Sequence, residues 1–350
     1  MGYIIAIIVL CIGFDFINGF HDAANSIATV VSTKVLTPIQ AVLWAAAFNF
    51  IAYFIAKYLI GFGVAETVQN TVTADAVSSS AGMMIIIAGL IAAICWNLFT
   101  WWKGIPSSSS HTLIGGLMGA AIAAKGWGAV HWSTVGMIAM FIVVAPLIGF
   151  IAGNIIMILT EWIFRHSKPH KMDKWFRRLQ LLSSSFLSLG HGLNNSTKEI
   201  GVISCALVAF TEMGGVSLPE WLEPSAELSA MGISVPEWVA FACFTAIAIG
   251  TMSGGWRIIK TMGNKITKVT PVEGFCAQTA GALTIAISQY LKVPVSTTHV
   301  ISGSIMGAGA VKRLSAVRWG VTIDMVTAWI FTIPISGLIG ALMYVIVSLF

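Results

Sequence analysis

Charge is scarce in this chain. Only 9% of its 350 residues are Asp, Glu, Lys or Arg, against about a quarter in a soluble domain, so it cannot present a solvated surface on every side. Paired cysteines are missing too. Cys11, Cys95, Cys205, Cys243 and Cys276 are scattered singly through apolar runs with no CxxC spacing, which speaks against a disulfide framework or a zinc site and reads as buried thiols. No phosphate-cradling GxxxxGK[ST] loop occurs, so nucleotide hydrolysis within this chain is excluded as an energy source. The residues after Met1 lack a basic n-region, and no cleavable signal is expected. The net charge of +5 points to no nucleic-acid partner, because its distribution follows topology.

What is abundant is hydrocarbon. Hydrophobic residues make up 57% of the chain, the mean hydropathy is +0.88, and runs such as 135–159 and 325–350 exceed the ~20 residues that cross a bilayer core. The few charges follow topology. Lys34, the connector residues Arg165, Lys168, Lys171, Lys174, Arg177 and Arg178, then Arg257, Lys260, Lys265 and Lys268, and finally Lys312, Arg313 and Arg318 hold 14 of the 19 Lys and Arg. Segments 61–82 and 212–237 hold seven acidic residues (Glu66, Asp75, Glu212, Glu220, Glu223, Glu227 and Glu237) and no Lys or Arg. The positive-inside rule makes the basic set cytoplasmic. Tracing both ways from the central connector then leaves both termini outside. It divides the chain into a first membrane half (1–164), a basic connector (165–178) and a second half (179–350). Each half crosses an odd number of times, so the halves are expected to be inverted relative to one another.

Two pairs of motifs support that division. Ile105-Pro106-Ser107-Ser108-Ser109-Ser110-His111 returns 188 positions later as Val293-Pro294-Val295-Ser296-Thr297-Thr298-His299. Proline and hydroxyls inside membrane-length apolar sequence are tolerated where backbone is buried in protein or lines a cavity. Their duplication is the mark of a transporter with broken helices at its site. The second pair is Phe14–Ser26 and Leu189–Glu199, which at an offset of 173 aligns Gly19 with Gly192, Asp22 with Asn195 and Asn25 with Lys198. Glycine beside Asn and Asp leads us to expect unwound backbone at both places. The predicted fold is therefore an all-α polytopic membrane protein. It is built of two inverted-topology repeats with broken helices and re-entrant hairpins at Pro106 and Pro294.

The hydroxyl rows precede apolar stretches and so belong at the N-caps and first turns of half-helices. Free N–H groups there carry about half a positive charge, and the hydroxyls add neutral donors. Two such ends aimed at one point suit a small multivalent oxyanion. Asp22, the neighbouring amides and freed carbonyls suit a hard cation beside it. His111 and His299, like His21 and His191, could donate to the anion or relay protons. Asp15, Glu273 and Asp324 lie in or at the ends of apolar spans, and cation sites and salt bridges both remain open for them. Trp101, Trp102, Trp127 and Trp132 read as interface anchors.

At Gly19–Ser26, Gly104–Gly116, His191–Gly201 and Val293–His299 the chain resembles the inorganic phosphate transporter (PiT) family, and in particular its bacterial low-affinity phosphate permeases. The resemblance implies an inverted-repeat permease, not an enzyme, importing inorganic phosphate with a coupling cation across the inner (plasma) membrane. It implies that Asn25, Ser108, Ser109, Ser110, Ser296, Thr297, Thr298, Asn194 and Lys198 face phosphate. It further implies that Asp22, Asn195, Asn49 and Gln278 occupy cation positions. No cofactor or resident metal is implied, and sodium, a proton or a metal–phosphate complex all remain open as the coupled species, as does homo-oligomerisation. Departures from the family pattern are Asn195 where a carboxylate is usual, Asn49 and Gln278 where sodium-coupled members often carry glutamate, and Glu199 beside Lys198. For Glu199 a local ion pair and a substitute cation ligand are the two readings. Two other functions compete. One is a permease for a related oxyanion such as sulfate. The other is an intramembrane hydrolase using Ser110, His111 and Asp22, against which stands the absence of a nucleophile-elbow sequence.

Overall fold

A computed structural model of the chain describes residues 1–62, 71–73, 76, 81–214, 218–291 and 295–349. Val293, Pro294, Glu66 and Asp75 lie outside the described residues, as does the side chain of Glu212. Among the described residues regular structure is helical, apart from one isolated bridge between Val72 and Val130.

The first half contains α1 (Gly2–Ser32), α2 (Pro38–Ile55, prolonged by a π-helical turn Ala56–Ile60), α3 (Gly82–Lys103), α4 (Ser109–Lys125) and α5 (Trp132–Ile163). Then come α6 (Pro169–Gly214), short α7 (Ala226–Ala230), α8 (Glu237–Ser253), α9 (Trp256–Lys260, continued by a π turn Thr261–Lys265), α10 (Pro271–Tyr290), α11 (Thr297–Ala310) and α12 (Trp319–Val347). Five helices (α1, prolonged α2, α3, α5 and α12) are long and apolar enough to cross a membrane, and the α8–α9 pair, bent by 60°, makes a sixth candidate. The exposed faces of α5 (Val143, Leu147, Ile151, Ile155 and Ile158) and α12 (Ile323, Ile330, Phe331, Leu338 and Leu342) are apolar, as a lipid-facing surface requires. The protein is an integral membrane protein.

Local chemistry sets the helix ends. Thr37 and Thr270 each make a capping box, with proline in the first turn of α2 and of α10, which satisfies donors that a helix start leaves free. Gly104 adopts φ +69° and ends α3, a left-handed cap that a residue with a Cβ adopts at a cost. The basic connector is not a separate linker: from Pro169 onward it is the first turns of α6. Arg177 Nη1 there donates to the carbonyls of Thr33 (3.1 Å) and Lys34 (3.3 Å). Arg318 Nη1 reaches the Asn264 carbonyl, and Gly263 packs against the Ala28 backbone, so the basic segments gather at one end of the bundle. At the other, Lys57 pairs with Glu227 and Glu237. Accordingly α1 and α8 run toward the basic end, whereas α2 and α6 run away from it.

The halves are interlocked. Glycines let α4 lie on α12 and α11 lie on α5. A Cβ on Gly119 would stand 1.8 Å from the Gly337 carbonyl oxygen, and one on Gly307 would stand 2.0 Å from that of Phe150. These are equivalent positions, separated by the same 188 residues as the hydroxyl rows. Pro146 of α5 and Pro334 of α12 share that offset. In membranes such close backbone approach substitutes for a hydrophobic driving force. Thus α3 and α4 pack on α12, and α10 and α11 pack on α5.

Two expectations are overturned. Cys95 is exposed and Cys205 only partly buried, where buried thiols were expected. α1 and α6 run through their Gly-Asn motifs without unwinding. The glycines serve packing instead: a Cβ on Gly19 would lie 2.3 Å from the Ile247 carbonyl of α8, and one on Gly192 would lie 2.9 Å from that of Asn49 on α2. A continuous helix satisfies its own backbone groups, and unwinding would expose them in an apolar bundle.

Candidate functional site

Polar side chains of α1 fall on one stripe, Asp15, Asn18, Asp22 and Asn25, at the three- and four-residue steps that share a helix face. This stripe lies between two apolar cores: α1 contributes Ile4, Ile7, Cys11 and Phe14 to one and Ala24, Ile27 and Ala28 to the other. On α6 the matching stripe is His191, Asn194, Asn195 and Lys198. All of these residues are at most 4% exposed.

Against the stripes come the two half-helices. Ser108 is the N-cap of α4, its Oγ accepting from the His111 N–H at 3.3 Å, and Ser296 caps α11 through the His299 N–H at the same distance. The next residues, Ser109 and Ser110 on α4 and Thr297 and Thr298 on α11, occupy the first turns, where backbone N–H groups have no intrahelical acceptor. The two helix starts meet. His111 and His299 stand edge to face with centroids 4.9 Å apart, and His299 stacks on Trp329 of α12 at 4.1 Å. Trp329 Nε1 donates to the Pro106 carbonyl (2.8 Å), so one tryptophan braces the break before α4 and the first turn of α11.

Stripes and half-helices are joined across the halves in a reciprocal way. Asn25 Nδ2 donates to Thr298 Oγ1 (3.0 Å) and Thr297 Oγ1 (3.3 Å). Lys198, the equivalent of Asn25, donates to Ser110 Oγ (2.6 Å), the equivalent of Thr298. Lys198 also reaches Asn195 Oδ1 at 3.3 Å, and Asn194 Nδ2 lies 3.4 Å from the Val295 carbonyl. Ser110 is the one member of this set that is partly accessible.

Asp22 sits beside this cluster. Its Oδ1 accepts from His21 Nδ1 at 2.7 Å, and its Oδ2 is 3.9 Å from His191 Nε2. His21 Nε2 is 3.0 Å from Thr100 Oγ1, near the end of α3. His191 Nδ1 is 3.2 Å from Asn49 Oδ1, and Asn49 Nδ2 donates to Thr251. Asn49 thus holds a histidine whose other nitrogen lies near Asp22 without hydrogen-bonding it. Gln278 is elsewhere: its amide donates to the Ser26 carbonyl (2.9 Å) and accepts from Ser183 (2.9 Å). Asn195 joins Lys198 and Asn18. The four cation candidates therefore do not form one coordination shell.

Several other open readings are resolved. Glu273 forms a salt bridge with Lys312 (3.0 Å) besides its cap. Lys198 turns to Ser110 rather than to Glu199, whose Oε2 has no partner. Ser110 is bonded to Lys198, and His111 Nδ1 has no partner, so the serine–histidine–aspartate arrangement of a hydrolase is not assembled. A groove of about 950 Å³ between α2, α6 and α10 is lined by Leu182, Phe186, Leu193 and Leu283 among others and contains none of the site residues. Sequence reasoning missed Thr100, Trp329 and Thr251, which carry no local signal. Asn18 stood within a recognised motif, and its helical spacing from Asp22 was the available clue.

The phosphate transporter family model matches residues 18–340. The chain belongs to that family. It is 45% identical over 341 residues to a probable low-affinity inorganic phosphate transporter of Rhizobium meliloti, covering 97% of this chain and 95% of the relative. It is 42% identical over 345 residues to the probable low-affinity inorganic phosphate transporter of Bacillus subtilis, covering 99% and 97%. A solved structure titled the sodium-dependent phosphate transporter superposes over all of both chains with a TM-score of 0.83 at 23% identity, which shows the same fold. Family and relatives are transporters, not enzymes.

Proposed function

We propose that this protein imports inorganic phosphate in symport with a cation, holding the anion between the starts of α4 and α11 near mid-membrane. The observation that carries the reading is the reciprocal pair of contacts, Asn25 with Thr297 and Thr298 and Lys198 with Ser110. An anion entering there meets two helix N-termini, four first-turn hydroxyls, two amides and one ammonium. Such donors are worth most where water is excluded. The opposed directions of α1 and α6, and of α2 and α8, support two inverted repeats with the basic end cytoplasmic and both termini outside. Alternating access then consists of exposing the shared site first to one face and then to the other.

Coupling follows from electrostatics. Carrying one elementary charge across 100 mV is worth about 2.3 kcal/mol, so a dianion entering an inside-negative cell costs about 4.6 kcal/mol from voltage alone. Two accompanying positive charges per dianion, or one per monoanion, remove that cost. Asp22, buried beside the cluster, is the cation-attracting group and also an acceptor for a protonated phosphate oxygen. Sulfate at neutral pH has no proton to give it. The test is uptake of labelled phosphate by purified protein in vesicles, with sulfate as competitor. Saturable, cation-dependent phosphate uptake that excess sulfate leaves intact is expected. Equal competition by sulfate, or no uptake, contradicts the reading.

A further inference from the structure

The polar stripe of α1 does not stop at Asn25. Ser26, Thr29 and Thr33 carry it on toward the basic end, at the three- and four-residue steps that keep one helix face. There it meets α6 and α10. Gln278 Nε2 and Ser184 Oγ donate to the Ser26 carbonyl (2.9 and 3.1 Å), Ser183 Oγ donates to Gln278 Oε1 (2.9 Å), and Thr33 Oγ1 donates to Gln180 Oε1 (3.0 Å). All of these residues are at most 7% exposed. Interhelical hydrogen bonds commonly hold membrane bundles together, but such a network satisfies its own groups. Here the hydroxyls of Ser26, Thr29 and Thr279 and the Gln180 Nε2 amide have no hydrogen-bond partner, and buried polar groups left unpaired are costly.

The repeated scaffold does not require polarity here. At the offset of 173, Thr29 and Thr33 correspond to Val202 and Ala206, and Gln180 and Ser183 to Ile7 and Leu10; at the hairpin offset of 188, Gln278 corresponds to Leu90. Ile7, Leu90, Val202 and Ala206 belong to one buried apolar core, and Leu10 packs against it. Only Ser26, which corresponds to Glu199, has a polar counterpart. The seam from the site toward the acidic end is therefore filled with hydrocarbon, whereas the seam toward the basic end is lined with hydroxyls and amides. That lining holds no carboxylate and no ammonium. At its mouth Arg177 donates to the Thr33 carbonyl. Neutral donors leading to a cationic mouth suit an anion in transit, since a path must bind its ion weakly enough to let it leave.

We propose that the seam between α1, α6 and α10 is the route by which phosphate leaves its site for the cytoplasmic end, a step that rests on the phosphate site proposed above. Asn25 stands at its head and Thr33 at its mouth. Opening the seam breaks the Gln278–Ser26 and Thr33–Gln180 bonds, and the freed amides and hydroxyls hydrogen-bond the passing anion in place of water.

The test uses the full chain in vesicles and a membrane-impermeant methanethiosulfonate that carries a sulfonate. Modification is read by mass spectrometry at the introduced cysteine, which separates it from the native thiols. With reagent on the cytoplasmic side, Thr29→Cys and Ser183→Cys should react several times faster than Val202→Cys and Leu10→Cys, and the reaction should stop uptake of labelled phosphate. Thr29→Val keeps the side chain's shape and should slow maximal uptake about fivefold, the worth of one neutral hydrogen bond. Its thermal stability, and its phosphate affinity in detergent, should stay those of the wild type. Equal reactivity of the two pairs, modification that leaves uptake intact, or a Thr29→Val protein that is as fast as the wild type or loses affinity alone would overturn the proposal. If the wild type carries phosphate and one of these results is found, only the route fails. If the wild type neither binds nor carries phosphate, the site fails and the route with it.

Discussion

The corner where α1 meets α11 and the corner where α6 meets α4 have the same construction and opposite charge. Each presents a helix stripe to the capped start of a broken half-helix, and equivalent residues make equivalent bonds: Asn25 to Thr298, Lys198 to Ser110. Yet the first corner carries Asp22 where the second has Asn195, and Asn25 where the second has Lys198. One corner is therefore anionic and the other cationic around a scaffold that repeats itself. On the proposed function, the matching contacts give the site its shape and the differing charges give it direction, with the anion drawn toward Lys198 and the cation toward Asp22.

The comparison can be broken most forcefully by removing the two charges separately. Lys198→Met takes away a charged donor worth about 1.5–3 kcal/mol, so phosphate affinity should fall about tenfold to a hundredfold. Asp22→Asn should instead weaken the cation dependence of uptake while costing phosphate affinity less. Concentration curves for both ions in the two variants decide it, and the reverse pattern would invert the assignment.

The packing half of the comparison comes next. Gly119→Ala and Gly307→Ala place a methyl against the backbone of α12 and α5 respectively, and each should lower stability by about 1–3 kcal/mol. Similar falls in thermal unfolding are expected for the pair. A fall in only one would mean that the two interfaces are not equivalent. Asn195→Asp makes the second corner more like the first by adding a carboxylate. It should tighten the apparent cation affinity by about tenfold, or about 1.4 kcal/mol, and identical cation curves would count against it. The smallest effects are at the caps. Ser108→Ala and Ser296→Ala each remove one side-chain acceptor from a helix start, which is worth about 1 kcal/mol, and matched small losses of thermal stability are the expected reading.

How legible this was in the sequence varied with the physics involved. Proline followed by hydroxyls inside apolar runs marked the break before α4 and the caps at Ser108 and Ser296, because capping is a local rule. Hydrophobic length marked the spans, although α6 begins at Pro169, inside the segment expected to be the basic connector. Charge placement marked the two ends of the bundle. The unwinding expected at Gly19 and Gly192 was a misreading of glycine: the residue signals close approach as readily as a break, and only the neighbours, Ile247 and Asn49, distinguish the two. The exchange of partners, with α4 on α12 and α11 on α5, is a tertiary fact that glycine spacing hints at without naming the helix that fills the groove. Thr100 and Trp329 were invisible because a buried threonine and a membrane tryptophan look the same in sequence whatever they touch. Asp15 stands out in the sequence as an acid in an apolar span, but that Ser196 of α6 donates to it needed the structure.

The most direct measurement is a cryo-electron microscopy map of the protein in lipid with and without inorganic phosphate. Phosphate-dependent density is expected between the starts of α4 and α11, within hydrogen-bond reach of Lys198, Asn25, Ser110 and Thr298. Density bound at another place, or none at this junction while uptake is saturated, would contradict it.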